Sequence, residues 1–262
     1  MNSPFRIDHN AQVRLTNLAM GTSFSNWRHL NTHIQKVRGR LLSEWYNGHD
    51  LNVYSDDEYV YEAINSFGKS AECIDSLCRY FQNDWGNRTV GYDKTARNYV
   101  AEPFQGNIAE LTVLDAYSGN GLTSTTMAAN GFKDVHTVGS SKGQLAYQDV
   151  VERDILGRAL KNFEALPKTK YDVVCSFEVL EHFKEPIPHL RDVLALVKPG
   201  GYFCESRGFS DTPNVGHYLE YEKDGETLSF RQISREITKE LQMDFVMVLD
   251  CFRKPRIWKK VR

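Results

Sequence analysis

Leu111-Thr-Val-Leu-Asp-Ala-Tyr-Ser-Gly-Asn-Gly121 is the stretch on which the fold of this 262-residue chain turns. A short apolar run, strand-like in length, ends on a carboxylate, Asp115, and opens into a loop carrying Gly119 and Gly121. The Thr- and Ala-rich stretch from Leu122 to Asn130 has helical spacing, and Gly131 closes it as a C-terminal cap. Strand, glycine loop and helix in that order bring bare backbone and unpaired helix N–H groups to one point, which suits a ligand. The same pattern also serves as an ordinary tight turn, so neighbouring segments must decide between the two.

Toward the C-terminus the alternation continues. Val135–Val138 reads as a second strand, and Tyr171–Phe177 (YDVVCSF) as a third, continuously apolar as a central parallel strand would be. Ile187–Val197 carries Leu190, Val193, Leu194 and Val197 on one helical face. Pro199-Gly200-Gly201 ends that helix and turns into a strand over Tyr202–Ser206. Ile233–Leu241 is again helical, and Phe245–Phe252 and Arg256–Val261 are strands joined by Arg253-Lys254-Pro255 as an antiparallel hairpin at or beside the sheet edge. Ser140–Pro167 admits two assignments. It scans as one long helix through Leu145, Val151, Ile155, Leu156, Leu160 and Phe163, or as a segment containing a strand at Val150–Asp154. The expected fold class is α/β with a doubly wound, mostly parallel sheet and an antiparallel C-terminal edge strand.

On the N-terminal side the patterns are helical: Trp27, Leu30, Ile34, Val37 and Leu41, then Tyr59, Ala63 and Ile64, then Ile74, Leu77 and Phe81. Asp56 and Ser70 stand at helix starts, and turns are expected at Asn47-Gly48, Phe67-Gly68 and Trp85-Gly86-Asn87. Residues 1–108 are expected to form a helical cap or oligomerisation segment, with homodimerisation through these helices, and residues 109–262 the catalytic domain. A net charge of −2 leaves no global field to hold a polyanion, which argues against nucleic acid as partner. The basic C-terminal stretch (Arg253, Lys254, Arg256, Lys259, Lys260, Arg262) reads first as a solvated strand end. Cys73, Cys78, Cys175, Cys204 and Cys251 show neither paired nor metal-type spacing, the usage of a reducing compartment. No apolar run approaches the roughly 18 residues of a membrane span, and Asn2–Arg14 lacks the apolar core of a signal peptide. A cytoplasmic protein without membrane partners is expected.

A second stretch, Tyr171-Asp-Val-Val-Cys-Ser-Phe-Glu-Val-Leu-Glu-His182, followed by Leu194–Gly201 (LALVKPGG) and a strand, gives the glycine loop its context. With these motifs in this order over residues 111–206, the chain resembles the class I methyltransferases, Rossmann-like enzymes that use S-adenosylmethionine. The resemblance implies that the loop after the first strand holds the cofactor: Asp115, Ala116, Tyr117, Gly119 and Gly121, with Phe177 and Glu178 bordering it from the fourth strand. Two departures stand out. Tyr117 occupies the position of the family's first loop glycine, and no acidic residue follows the second strand at Val138-Gly139-Ser140, where the family binds the ribose. Ser140, Ser141 and Gln144 are the neutral candidates to replace it. The first loop residues before the strand, Tyr92, Tyr99 and Phe104, fall where the family folds a flap, and His217, Tyr218 and Tyr221 where it lines the acceptor pocket.

Glu178-Val-Leu-Glu-His182 has three readings. His182, with Glu181 beside it, is a general base or acceptor contact at the strand's C-terminal edge. Glu178, Glu181 and His182 can converge on a divalent cation, as the similar motifs of RNA 2′-O-methyltransferases and ubiquinone-pathway O-methyltransferases do. Or the group pins its loop by hydrogen bonds. The resemblance therefore implies an enzyme that moves a methyl group from S-adenosylmethionine to an O or N atom of a small-molecule acceptor, with His182 and Glu181 as catalytic residues and no resident metal. The alternatives are an RNA 2′-O-methyltransferase with a metal at this motif, and a non-catalytic binding protein on the same fold.

Overall fold

The computed structural model describes residues 9–48, 55–82, 107–212, 214–250 and 255–262. The expected turn at Trp85-Gly86-Asn87, the flap candidates Tyr92, Tyr99 and Phe104, and Cys251, Arg253 and Lys254 lie outside the described residues. Three helices come first: α1 (His9–Met20), α2 (Trp27–Tyr46) and α3 (Asp56–Phe81). The α/β part follows as β1 (Thr112–Ala116), α4 (Leu122–Ala129), β2 (Asp134–Val138), α5 (Lys142–Leu156), β3 (Lys161–Phe163), β4 (Tyr171–Phe177), α6 (Pro186–Ala195) and β5 (Val197–Ser206). A hairpin, β6 (Glu220–Lys223) and β7 (Glu226–Ser229), precedes α7 (Phe230–Asp244), β8 (Phe245–Asp250) and β9 (Arg256–Lys260).

One seven-stranded sheet runs in the order β3-β2-β1-β4-β5-β9-β8. The first five strands are mutually parallel, and β9 pairs antiparallel with both β5 and β8. The doubly wound, mostly parallel sheet is the one the sequence implies. The last two strands do pair as a hairpin, with β9 inserted next to β5 so that β8 holds the edge. Burial explains this order. Ile257 and Trp258 of β9 are fully enclosed, and Trp258 Nε1 donates to buried Glu205 at 3.2 Å, whereas Val246 of β8 is exposed. Arg207 forks onto the same Glu205 at 2.8 and 3.0 Å and also reaches Ser234 and Thr238 of α7, so the buried charge pair is hydrogen-bonded on every side.

Strand alternation splits the core in two. On one face Val113, Val173, Cys175, Tyr202 and Cys204 pack with Met127 and Phe132 and with Ile74, Leu77, Tyr80 and Phe81 from the end of α3. On the other, Leu114, Val174 and Phe203 pack under Leu190 and Val193 of α6 and Ile233, Ile237 and Leu241 of α7. A third cluster joins α1, α2 and α3 to Tyr147 and Val151 of α5. The end of α3 thus shares a core with the sheet, and α1 and α2 pack with α3 on α5. Among the described residues no helix is long and apolar enough to cross a membrane.

Four local assignments differ from the sequence reading. Ser140–Pro167 is neither one long helix nor a strand at Val150: α5 stops at Gly157, which takes φ +70°, and the strand is the three-residue β3 at Lys161–Phe163. Glu152 of α5 secures that turn by accepting the Leu160 N–H at 2.6 Å. Helix α3 runs unbroken through Phe67-Gly68 and past Ser70, because an isolated glycine costs a helix only about 1 kcal/mol, which packing at its ends offsets. Its cap is Ser55, whose N–H donates to Glu58 at 2.7 Å. Pro199-Gly200-Gly201 does not precede β5 but bulges within it: Val197 pairs with Tyr171 and Tyr202 with Val173. The polar stretch after β5 contains the β6–β7 hairpin, turned at Asp224-Gly225 with φ +53° and +82°, a two-residue turn suited to that pair.

Candidate functional site

The loop after β1 is built from left-handed residues. Tyr117 takes φ +64°, Gly119 +56° and Gly121 +73°, and the Tyr117 N–H donates to Val138 O at 2.8 Å. Behind the loop Asp115, fully buried, accepts the Ser124 N–H at 3.1 Å and so satisfies the N-terminus of α4 from beneath. Burial pushes the Asp115 carboxyl up to about 7 against the opposing pull of its bonds from Ser124. The two glycines do different jobs. A side chain on Gly121 would collide with Gln148, whereas one on Gly119 would meet only Gln144 Nε2, at 3.8 Å, and enter open space. That open space is a cavity of about 410 Å3, in the size range of small-molecule sites.

Of the residues expected at a cofactor, Tyr117, Gly119, Phe177 and Glu178 line this cavity. Asp115, Ala116 and Gly121 stand behind the wall. No carboxylate follows β2. In its place the Tyr117 ring lies over Gly139, so close that a Cβ there would come within 2.8 and 3.0 Å of two ring carbons. The ring is completed by His189 at 4.6 Å and Phe183 at 5.9 Å between centroids. The two departures in the sequence are thus one feature: a tyrosine in a glycine's position, and a glycine that gives it room. Ser118 Oγ lies 3.3 Å from Ser140 Oγ and donates to Gln148 at 3.1 Å, so Ser140 and Gln148 hold the loop while Gln144 lines the cavity.

At the end of β4, Glu178 takes φ +53°, donates its N–H to Ser206 Oγ and accepts the Ser206 hydroxyl at 2.9 Å. A single turn, Leu180–His182, follows. The carboxylates of Glu178 and Glu181 converge at Gly208, where there is no room for a side chain. His182 Nδ1 is 3.0 Å from Gly216 O, so in the neutral ring Nδ1 carries the proton and Nε2 is left as an acceptor. Burial lowers the His182 pKa below the ordinary imidazole value, with the Gly216 carbonyl and Glu178 opposing. Ligand atoms of Glu181, His182 and His217 lie within 4.8 Å of one another. His182, His217 and Glu178 line the cavity. Glu181 is fully enclosed at its edge, Tyr221 belongs to the core, and Tyr218 packs on Trp45 at 5.4 Å.

Helices α2 and α3 roof the cavity with Arg38, Leu41, Tyr59 and Glu62. Arg38 Nη2 donates to Asn214 at 2.5 Å, and Trp45 Nε1 to His217 O at 3.1 Å, so α2 holds the loop that carries His217. Sequence reasoning singled out His217 but not Arg38, Glu62 or Asn214. A charged residue on a helix carries no sign of which cavity the helix will cover.

The family described as methyltransferase domain matches residues 77–237. A mitochondrial ubiquinone biosynthesis O-methyltransferase of Candida albicans is 35% identical over 109 residues, 37% of this chain and 32% of that protein. A ubiquinone biosynthesis O-methyltransferase of Serratia proteamaculans is 30% identical over 110 residues, 40% of this chain and 45% of that one. The chain spans less than half the length of these curated relatives. An O-methyltransferase family protein from Burkholderia thailandensis superposes with a TM-score of 0.50 at 15% identity, over 89% of this chain and 69% of that chain, a likeness of fold.

Proposed function

The chain belongs to the methyltransferase-domain family, which uses S-adenosylmethionine, and from that premise we propose that it transfers the methyl group to an oxygen or nitrogen of a small molecule, a hydroxyl foremost. The residues present fit that cofactor. Gly119 leaves the loop bare toward the cavity, and a buried Glu62 oxygen on the roof meets no hydrogen-bond donor among the described residues. Tyr117, Gly119, Phe177 and Glu178 would hold it. When bound, the cofactor supplies a methyl group already activated on sulfur, so the protein's work is alignment, exclusion of water and proton removal. The observation that carries the proposal is His182. Its Nδ1 is fixed on Gly216 O, which turns Nε2 into a proton acceptor beside the cavity. Desolvation lowers the pKa of this ring, which favours the neutral state that a base requires.

A second reading is favoured by the convergence of Glu181, His182 and His217. A divalent cation held there would orient two adjacent acceptor oxygens and acidify one of them. The cytoplasmic location we propose rests on Cys175 and Cys204, buried thiols that face each other across β4 and β5 without a disulfide.

The test is methyl transfer to a panel of phenols and catechols by wild type and His182→Ala. The base reading expects a rate loss of about 100-fold or more with unchanged affinity for S-adenosylhomocysteine, and indifference to chelator. The cation reading expects chelator to abolish turnover, magnesium or manganese to restore it, and Glu181→Gln to match His182→Ala. Full activity in a folded His182→Ala protein refutes both.

A further inference from the structure

The roof of the cavity carries an opposite-charge pair that neither the loop nor the His182 end accounts for. Glu62 Oε1 lies 3.3 Å from Arg38 Nε, while Oε2 is buried and finds no donor among the described residues. The neighbouring polar groups are already engaged. Glu58 accepts the Ser55 N–H at 2.7 Å and pairs with Arg40, and Asn65 accepts from Gln35 at 3.1 Å. Burial raises the Glu62 pKa, and Arg38 only partly opposes it. Arg38 spends Nε on Glu62 and Nη2 on Asn214, and a guanidinium has five N–H donors, so further donors remain on the same wall. A buried carboxylate oxygen without a donor is costly, and the cost is removed by a ligand that brings one.

We propose that Glu62, with Arg38 beside it, is a recognition subsite for an α-amino-acid zwitterion, and that its occupant is the amino-acid end of the cofactor. Glu62 accepts the ammonium and Arg38 donates to the carboxylate. Charge complementarity carries the choice: a negative and a positive group about 3 Å apart on one wall match the two charges of such a group, and both share the cavity with the open face of Gly119. A neutral acceptor ring would leave the pair unanswered. The N-terminal helices then do more than cover the sheet. They read the part of the cofactor that distinguishes it from other adenosine compounds.

This subsite rests on the cofactor assignment, and titration calorimetry with two probes separates them. S-adenosylhomocysteine carries the zwitterion and 5′-methylthioadenosine lacks it. Wild type should prefer the former, and Glu62→Gln, which keeps size and removes charge, should weaken it about ten- to a hundredfold while leaving methylthioadenosine unchanged. Glu62→Asp, with the charge kept, should recover part of the loss. Equal weakening of both probes by Glu62→Gln would mean a structural role and overturn the subsite. So would unchanged S-adenosylhomocysteine affinity, which would leave the pair to the acceptor. Wild type that binds neither probe overturns the cofactor assignment itself and the subsite with it.

Discussion

Gly139 offers a measurement of the contact that distinguishes this site. Gly139 and Gly157 share φ +70°, but a Cβ on Gly157 meets nothing within 4 Å, whereas on Gly139 it meets the Tyr117 ring at 2.8 and 3.0 Å. Gly157→Ala therefore pays only for a left-handed non-glycine residue, about 1–2 kcal/mol. Gly139→Ala adds the displacement of a packed ring, about 1–3 kcal/mol more. At about 2–4 °C per kcal/mol for a chain of this size, the difference between the two variants should be several degrees in melting temperature. Urea unfolding followed by tryptophan fluorescence reads the same difference as a free energy. Repeating both substitutions in a Tyr117→Gly background isolates the ring, and there the Gly139→Ala penalty should fall to that of Gly157→Ala. In that background Gly139→Asp should also tighten S-adenosylhomocysteine, by about 1–2 kcal/mol for a charge-assisted hydrogen bond, an effect closed to wild type. If Gly139→Ala costs no more than Gly157→Ala, or the excess persists without the ring, the link between the two positions is wrong.

Two further outcomes follow from the loop. Gly119→Val should lose at least about 1–2 kcal/mol of stability to the left-handed backbone at φ +56° but still fold, since only Gln144 Nε2 lies near the new Cβ. Its branches fill the cavity, and binding of S-adenosylhomocysteine to the folded variant should drop below calorimetric detection; unchanged affinity would remove Gly119 from the site. Asp115 has a folded pKa near 7, above its unfolded value, so the native state holds the proton more tightly and stability drains away as pH rises from about 4 to about 7. Wild type should lose stability relative to Asp115→Asn between pH 5 and pH 8 in chemical denaturation, and a pH-independent difference would contradict the raised pKa.

Much of the fold was legible because its signals are local. An apolar run followed by glycine, a capping residue, or a helical stripe is set by the backbone needs of a few residues. Hence β1, β4, α4, α6 and α7 stand close to where the spacing put them. The failures were also physical. Glycine at 68 and the Pro-Gly-Gly of β5 look like breaks in sequence, but flanking packing carries the helix and the strand across both. The three-residue β3 is too short to show a period at all.

The site divides in the same way. The sequence by itself marked the ends of β1 and β4 as the place where a ligand would lie, since an open α/β sheet gathers its loops there. It also exposed the tyrosine and the missing carboxylate as separate oddities. Tertiary structure alone joined them by stacking the Tyr117 ring on Gly139, 22 positions along the chain. It alone moved Asp115 from the cavity wall to the helix behind it, brought His217 to His182, and laid Arg38 and Glu62 over the glycine loop. These pairings depend on how helices and strands dock across the sheet. No local preference of the residues encodes that, because each of them would serve equally well as a solvated charge, a core aromatic or a turn until a partner from a distant segment arrives.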